Sequence, residues 1–159
     1  MNKDVNTPIL IIGFNRPEST RRLIEALKVM APTRIYFAVD GPRNDVKGDK
    51  ERVQATQELI SEFTWPSKVE SRFLSSNAGC KIAISSAIDW FFESEDNGII
   101  LEDDCVPHSD FFRFASEMLA RYRYNNKIIS INGSNLGFNF KNGSSYTYSR
   151  FMNMWGWAT

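Results

Sequence analysis

Glu102-Asp103-Asp104 places three carboxylates side by side, directly after the apolar run Gly98 to Leu101. At the end of a buried strand such groups repel one another, and desolvation raises their pKa values unless a cation or hydrogen-bond donors compensate. A divalent ion is the natural counter-charge. Oxygen ligands suit Mg²⁺ or Mn²⁺, which take one or two protein carboxylates and complete their shell with water and substrate phosphates. Asp104 is the expected ligand. The triplet by itself fits a solvated acidic turn equally well, with Asp103 or Asp104 bonding the backbone that follows.

Other positions carry complementary chemistry. Arg16, with Asn15 beside it, precedes a helix start where a guanidinium and free backbone N–H groups both face a diphosphate. Read alone, it is more simply a surface arginine. Asp40 closes an apolar run and is able to accept from a base or ribose, while Asp40-Gly41-Pro42 is also ordinary turn chemistry. Lys81 in the first turn of a helix opposes the dipole, which an anionic ligand offsets; a solvated lysine accounts for it too. His108 is the one histidine. It has no Ser, Cys or second His at catalytic spacing and receives no role. Cys80 and Cys105 form no CxxC pair and read as free thiols.

These residues act together only if the fold brings them to one edge. Pro8 to Phe14 is an apolar run of the kind buried on both faces of a parallel sheet. Leu23, Ile24, Leu27 and Met30 then recur at helical spacing, with Pro17 suited to the first turn. Ile35 to Val39 predicts a second strand, and Val53, Ile60 and Phe63 a second helix. Lys68 to Leu74 predicts a third strand, followed by a helix with Ala83, Ala87, Trp90 and Phe91 on one face. Gly98 to Leu101 is the fourth strand. Ser109 is the expected cap of a helix bearing Phe111, Ala115, Met118 and Tyr122, and Ile128 to Ile131 is the fifth strand. Alternation of this kind predicts an α/β fold: a Rossmann-like, mostly parallel sheet with helices on both faces. Ligands of such sheets lie beyond the carboxyl ends of the strands, where Asn15, Arg16, Asp40, Lys81 and the acidic triplet all fall.

The 159 residues, 42% hydrophobic and 24% charged, suit one domain with a real core. Nineteen basic and nineteen acidic side chains cancel, which argues against a nucleic-acid partner held by phosphate electrostatics. The polar Met1 to Thr7 stretch has no export-signal core, so a cytoplasmic location is expected, and the Asn132 and Asn142 sequons then carry little meaning. No window approaches the roughly 20 apolar residues of a membrane span; peripheral attachment through absent segments stays open. Beyond Asn132 the pattern turns to Gly, Ser, Asn and aromatics and stops at Trp155-Gly156-Trp157-Ala158-Thr159. Such an ending suggests a truncated chain.

Pro8 to Arg16, the strand ending at Asp40, and above all Ile99-Ile100-Leu101-Glu102-Asp103-Asp104 with Pro107 and Phe111-Phe112 resemble the N-acetylglucosaminyltransferase I type of inverting glycosyltransferase and its bacterial surface-polysaccharide relatives. The resemblance implies a glycosyltransferase-A fold, with residues 1–135 binding a nucleotide-sugar donor and 136–159 opening an incomplete acceptor-side region. It implies that Asp104 ligates Mn²⁺ (or Mg²⁺), that Glu102 and Asp103 contact ribose or donor sugar, and that Asp40 reads a uracil. Arg16 matches an arginine near the diphosphate; Lys81 stands at a nucleotide-contacting position where the family has another residue type. The implied partners are a nucleotide-sugar, most simply UDP-linked, and a saccharide or glycolipid acceptor. The family's general base lies downstream of the Trp-Gly-Trp segment, so donor binding without efficient transfer is expected of these residues. The alternatives are a non-catalytic donor-binding fragment, a sugar nucleotidyltransferase, which would need a Gly-rich basic loop in place of Gly13-Phe14-Asn15-Arg16, and a receiver-type phosphoacceptor, whose acidic pair would follow the first strand.

Overall fold

The structure is a computed structural model that describes residues 6–134 and 145–159. The Asn142 sequon and the 135/136 domain boundary lie outside the described residues. Six strands form one sheet in the order β3-β2-β1-β4-β6-β5. They are β1 (Ile9–Gly13), β2 (Arg34–Val39), β3 (Lys68–Phe73), β4 (Ile99–Glu102), β5 (Ile131–Asn132) and β6 (Trp157–Ala158). The helices are α1 (Pro17–Met30), α2 (Asp49–Glu58), α3 (Cys80–Phe92) and α4 (Ser109–Tyr122). A single 3-10 turn, Leu59–Glu62, follows α2.

β1 is central because nothing in it is polar: all five residues are buried, with β2 parallel on one side and β4 parallel on the other. Alternation along the strands divides the core in two. Ile9, Ile11, Ile35, Phe37, Ile99 and Leu101 pack with Leu23 and Leu27 of α1, Val53 of α2 and Phe112 and Ala115 of α4. Leu10, Ile12, Tyr36, Ala38 and Ile100 pack with Ala87 and Phe91 of α3. Each large side chain hidden in this way contributes about 1.5–3 kcal/mol. The helices therefore cover both faces, as the strand–helix alternation predicts.

The element order explains where a ligand crevice must lie. β1, β2 and β3 step outward in one direction, and the chain then crosses back over α3 to place β4 on the far side of β1. Right-handed crossovers put α1 and α2 on one face and α3 on the other only because the direction reverses there. The gap between the ends of β1 and β4 is thus a topological switch point, which in open α/β sheets is the binding crevice.

Three features differ from the sequence reading. Glu102 belongs to β4 instead of following it. The fifth strand is only Ile131–Asn132, and it does not touch β4: Trp157–Ala158 enters between them, antiparallel to both. Two residues of an aromatic, Gly-containing tail give no local strand pattern, so their strand character comes from partners elsewhere in the chain. The cap of α4 is His108, whose ring Nδ1 accepts from Asp110 N at 3.3 Å, while Ser109 is the first helical residue.

Candidate functional site at the ends of β1 and β4

Arg16 stands at the N-cap of α1 with its side chain free of any capping bond. Its carbonyl is fixed by Thr20, which donates from both N and Oγ1 at 3.0 Å. Pro17, lacking an N–H and preset for the first turn, starts the helix immediately. The guanidinium is thereby held over the switch point. There Nε donates to Asp103 Oδ2 at 3.3 Å, Nη2 pairs with Asp103 Oδ1, and Nη1 donates to Asp104 Oδ2 at 3.0 Å.

Strand alternation splits the acidic triplet. Asp103 continues the row of Ile99 and Leu101 toward α1, its N–H donating to Ile12 O at 2.9 Å, so that the parallel ladder runs one residue past β4. Its carboxylate is 2% exposed and also accepts from Phe14 N at 3.4 Å. Glu102 lies in the other row, level with Ile12 of β1. Asp104 is past the ladder and 37% exposed, which makes it the solvent-facing carboxylate of the pair that Arg16 grips. Burial first, then the charges of Asp104 and Asp103, push Glu102 above the usual carboxylate range. Burial also raises Asp103, against the lowering effect of Arg16. Cys105, free like Cys80, is pushed up to about 11 by burial and is no nucleophile at neutral pH.

Asp40 is buried at the end of β2. Its Oδ1 accepts from Gly41 N at 2.8 Å and Ala78 N at 2.9 Å, and its Oδ2 from Asn77 Nδ2 at 2.9 Å. Asp40 thus ties the loop after β3 to the end of β2, with a remaining lone pair on Oδ2. Gly41 completes the junction, since a Cβ there would lie 2.4 Å from the backbone of Ser76.

Asn15 turns away from the acidic triplet: its amide donates to Asp49 Oδ1 at the start of α2. Asp49, with its side chain fully buried, is a residue that spacing did not single out. It accepts five hydrogen bonds: one from Asn15, one from Arg43 N, two from the Arg43 guanidinium and one from Arg52 Nη2 at 3.1 Å. The Arg43 side chain above all holds Asp49 well below the usual carboxylate range. Arg43 also lies over the Phe14 ring, 5.1 Å from its centroid. In the sequence Asp49 is one acid within a polar stretch, and nothing local distinguishes it. Lys81 is exposed in the first turn of α3 and makes no ion pair among the described residues.

The structure therefore brings Arg16, Asp103 and Asp104 together, puts Glu102 beside them on the opposite side of the ladder, and ties Asp40 and Asn15 into neighbouring loops. No three His, Cys, Asp or Glu side chains among the described residues form a ready metal cage. A divalent ion fits here through one half-exposed carboxylate, Asp104, with water and ligand phosphate supplying the rest, as Mg²⁺ and Mn²⁺ sites allow. No family model matches this chain, and no curated protein matches it.

Proposed function

We propose that the crevice at the ends of β1 and β4 binds the diphosphate of a nucleotide-sugar together with Mn²⁺ or Mg²⁺, as the donor half of an inverting glycosyltransferase of the glycosyltransferase-A type. The observation that carries the reading is a charge imbalance at the switch point: one guanidinium pairs with Asp103 and Asp104, while the Glu102 carboxylate, on the other side of the ladder, is close enough to feel all three charges. The excess of two negative charges matches one divalent cation, and Asp104 is the exposed carboxylate available to it.

Arg16 has two functions in this reading. It holds Asp103 in place, and its half-exposed guanidinium, with the N-terminus of α1, faces an incoming phosphate. In this reading Glu102 meets ribose or donor-sugar hydroxyls, Asp103, buried against Arg16, orients that guanidinium in place of contacting them, and Asp40 has one acceptor position left for a base. When bound, the cation supplies neutralisation of charge on a departing nucleoside diphosphate. No helix among the described residues is long and apolar enough to cross a membrane. The acceptor, a saccharide or glycolipid, and the general base are outside what these residues supply, so binding is the assay.

The test is calorimetric titration with UDP, GDP and CMP, each with and without Mn²⁺. Metal-dependent binding of one nucleotide by the parent chain, weakened on the order of 100-fold in Asp104→Ala, is expected. Equal binding with and without metal, or an Asp104→Ala variant that binds like the parent, would sink the proposal.

A further inference from the structure

The zero net charge of the chain hides a division. Residues 1–110 hold thirteen basic and eighteen acidic side chains, and residues 111–159 hold six basic and one acidic. The second stretch is therefore strongly positive. Among its described residues Arg113, Arg121, Arg123, Lys127 and Arg150 are all exposed, and the lone acid is Glu117.

Apolar exposure is concentrated in the same stretch. Tyr124, Ile129, Tyr148, Phe151, Met154 and Trp155 are all more than half exposed, with Phe151 at 87% and Ile129 at 72%. Outside this stretch Val29, Phe73, Ile82 and Val106 are also exposed, but they sit apart, on α1, β3, α3 and the loop after β4. Basic and apolar groups of the stretch meet at one place, where Lys127 and Arg150 stand with Ile129, Phe151 and Trp155. A hollow of about 1080 Å³ is lined jointly by Tyr122, Lys127, Ile129, Arg150, Phe151 and Trp155. Tyr122 hydroxyl bonds to Tyr146 at 2.8 Å and Tyr148 at 2.6 Å fasten residues 145–156 to the end of α4. Arg121 and Arg123 lie against the rings of Tyr122 and Tyr124, 5.8 and 5.9 Å from the centroids, so their stems run along aromatic surface.

We propose that this face, made by the end of α4, residues 127–134 and residues 145–156, docks on a membrane surface rich in anionic lipid. Positive side chains attract such a surface, Trp and Tyr settle at its headgroup level, and Arg stems lie along apolar area while their heads stay in water. Exposed Ile129 and Met154 decide against a nucleic-acid partner, which offers rings for stacking and phosphates for pairing but no apolar interior for aliphatic groups. The inference goes beyond the nucleotide reading and holds without it. If both hold, Asp104 lines the same hollow, so the crevice opens toward the lipid side.

Vesicle flotation of the 159-residue chain tests this, with phosphatidylcholine vesicles compared with vesicles containing phosphatidylglycerol. The protein is expected to float only with the anionic vesicles and to be released by salt. Each cation near the surface adds about fivefold to partitioning, so Arg121→Glu with Arg123→Glu weakens it by at least about 25-fold. Phe151→Ser with Trp155→Ser weakens it too, while Arg22→Glu with Lys28→Glu, the same charge change on α1, leaves it within about twofold. Circular dichroism checks that each variant is folded. Equal flotation with both vesicle types, flotation indifferent to the Arg121/Arg123 reversal, or salt-sensitive binding to single-stranded DNA without vesicle binding would each overturn the proposal. Nucleotide titration of the same variants reads the crevice separately.

Discussion

Both ends of the sheet contain a buried carboxylate gripped by an arginine, and the two sites are differently balanced. At the amino end, Glu95 takes Arg34 Nη1 at 2.7 Å and the Tyr36 hydroxyl at 3.0 Å. One negative charge meets one positive charge and one neutral donor. At the carboxyl end, Arg16 serves Asp103 and Asp104 while Glu102 stands nearby, and the negative charge is left in excess. A closed pair of the first kind fastens α3's exit to β2. An open one, at the switch point, is where the proposed cation would bind. Position and charge balance together, more than the presence of an ion pair, separate a clamp from a site.

The largest effect expected from breaking this contrast is at the open end. Asp104→Ala removes nucleotide binding by on the order of 100-fold in calorimetry while leaving the melting temperature within about 2 °C, because its carboxylate is half exposed. Asp49→Ala, next to the open end, does the reverse. It strips five hydrogen bonds from one buried carboxylate and lowers the melting temperature by about 5–10 °C. Its pH dependence has a definite sign. The folded pKa lies below the ordinary value of 3.8, so the stabilisation is complete above that pH and is lost as pH falls through the folded value. Asp49→Asn is therefore most destabilised relative to the parent at neutral pH, and acid unfolding curves of the two converge.

The closed end sharpens the comparison with a smaller effect. Burial first, and the hydrogen bond to Glu95 second, push the Tyr36 phenol up to about 12. Glu95→Gln removes the charge and keeps the shape. Spectrophotometric titration should find Tyr36 ionising closer to its ordinary 10.0, with nucleotide affinity unchanged. A Glu95→Gln variant that lost nucleotide binding would mean that the two ends are coupled through β1 and β2.

Much of this architecture is legible in the residues. Buried parallel strands such as Ile9–Gly13 are nearly all apolar, and the polar residues that interrupt them fall at the carboxyl edge because that is where the pattern ends. Arg16, Asp103 and Asp104 could thus be placed on one edge before any contact was known. Two aspects were not legible. The triplet reads as one acidic cluster by adjacency, whereas the period of two in a strand sends Glu102 and Asp103 to opposite faces. Asp49 reads as one charge among many, since Arg43 and Arg52, which hold it, stand in the same polar stretch as other charges, and Asn15, 34 positions earlier, shares no local pattern with it. Asn15 and Asp40 sit on the right edge, but their side chains are engaged with neighbouring loops, an outcome that depends on which loops meet.

The place of Trp157–Ala158 between β4 and β5 has a bearing on how the chain is made. The β1–β2, β2–β3 and β1–β4 pairings are all available once residue 102 has been synthesised, and the Arg16–Asp103 contact one residue later. Among the described residues Ile131–Asn132, by contrast, joins the sheet only through Trp157–Ala158. Trp157–Ala158 must first reach β4 before Ile131–Asn132 has a strand to pair with, and non-local pairing of this sort is slow. During synthesis the crevice edge is therefore complete while the flank of β4 is still bare, with Ile99 and Ile100 waiting for the strand that will cover them.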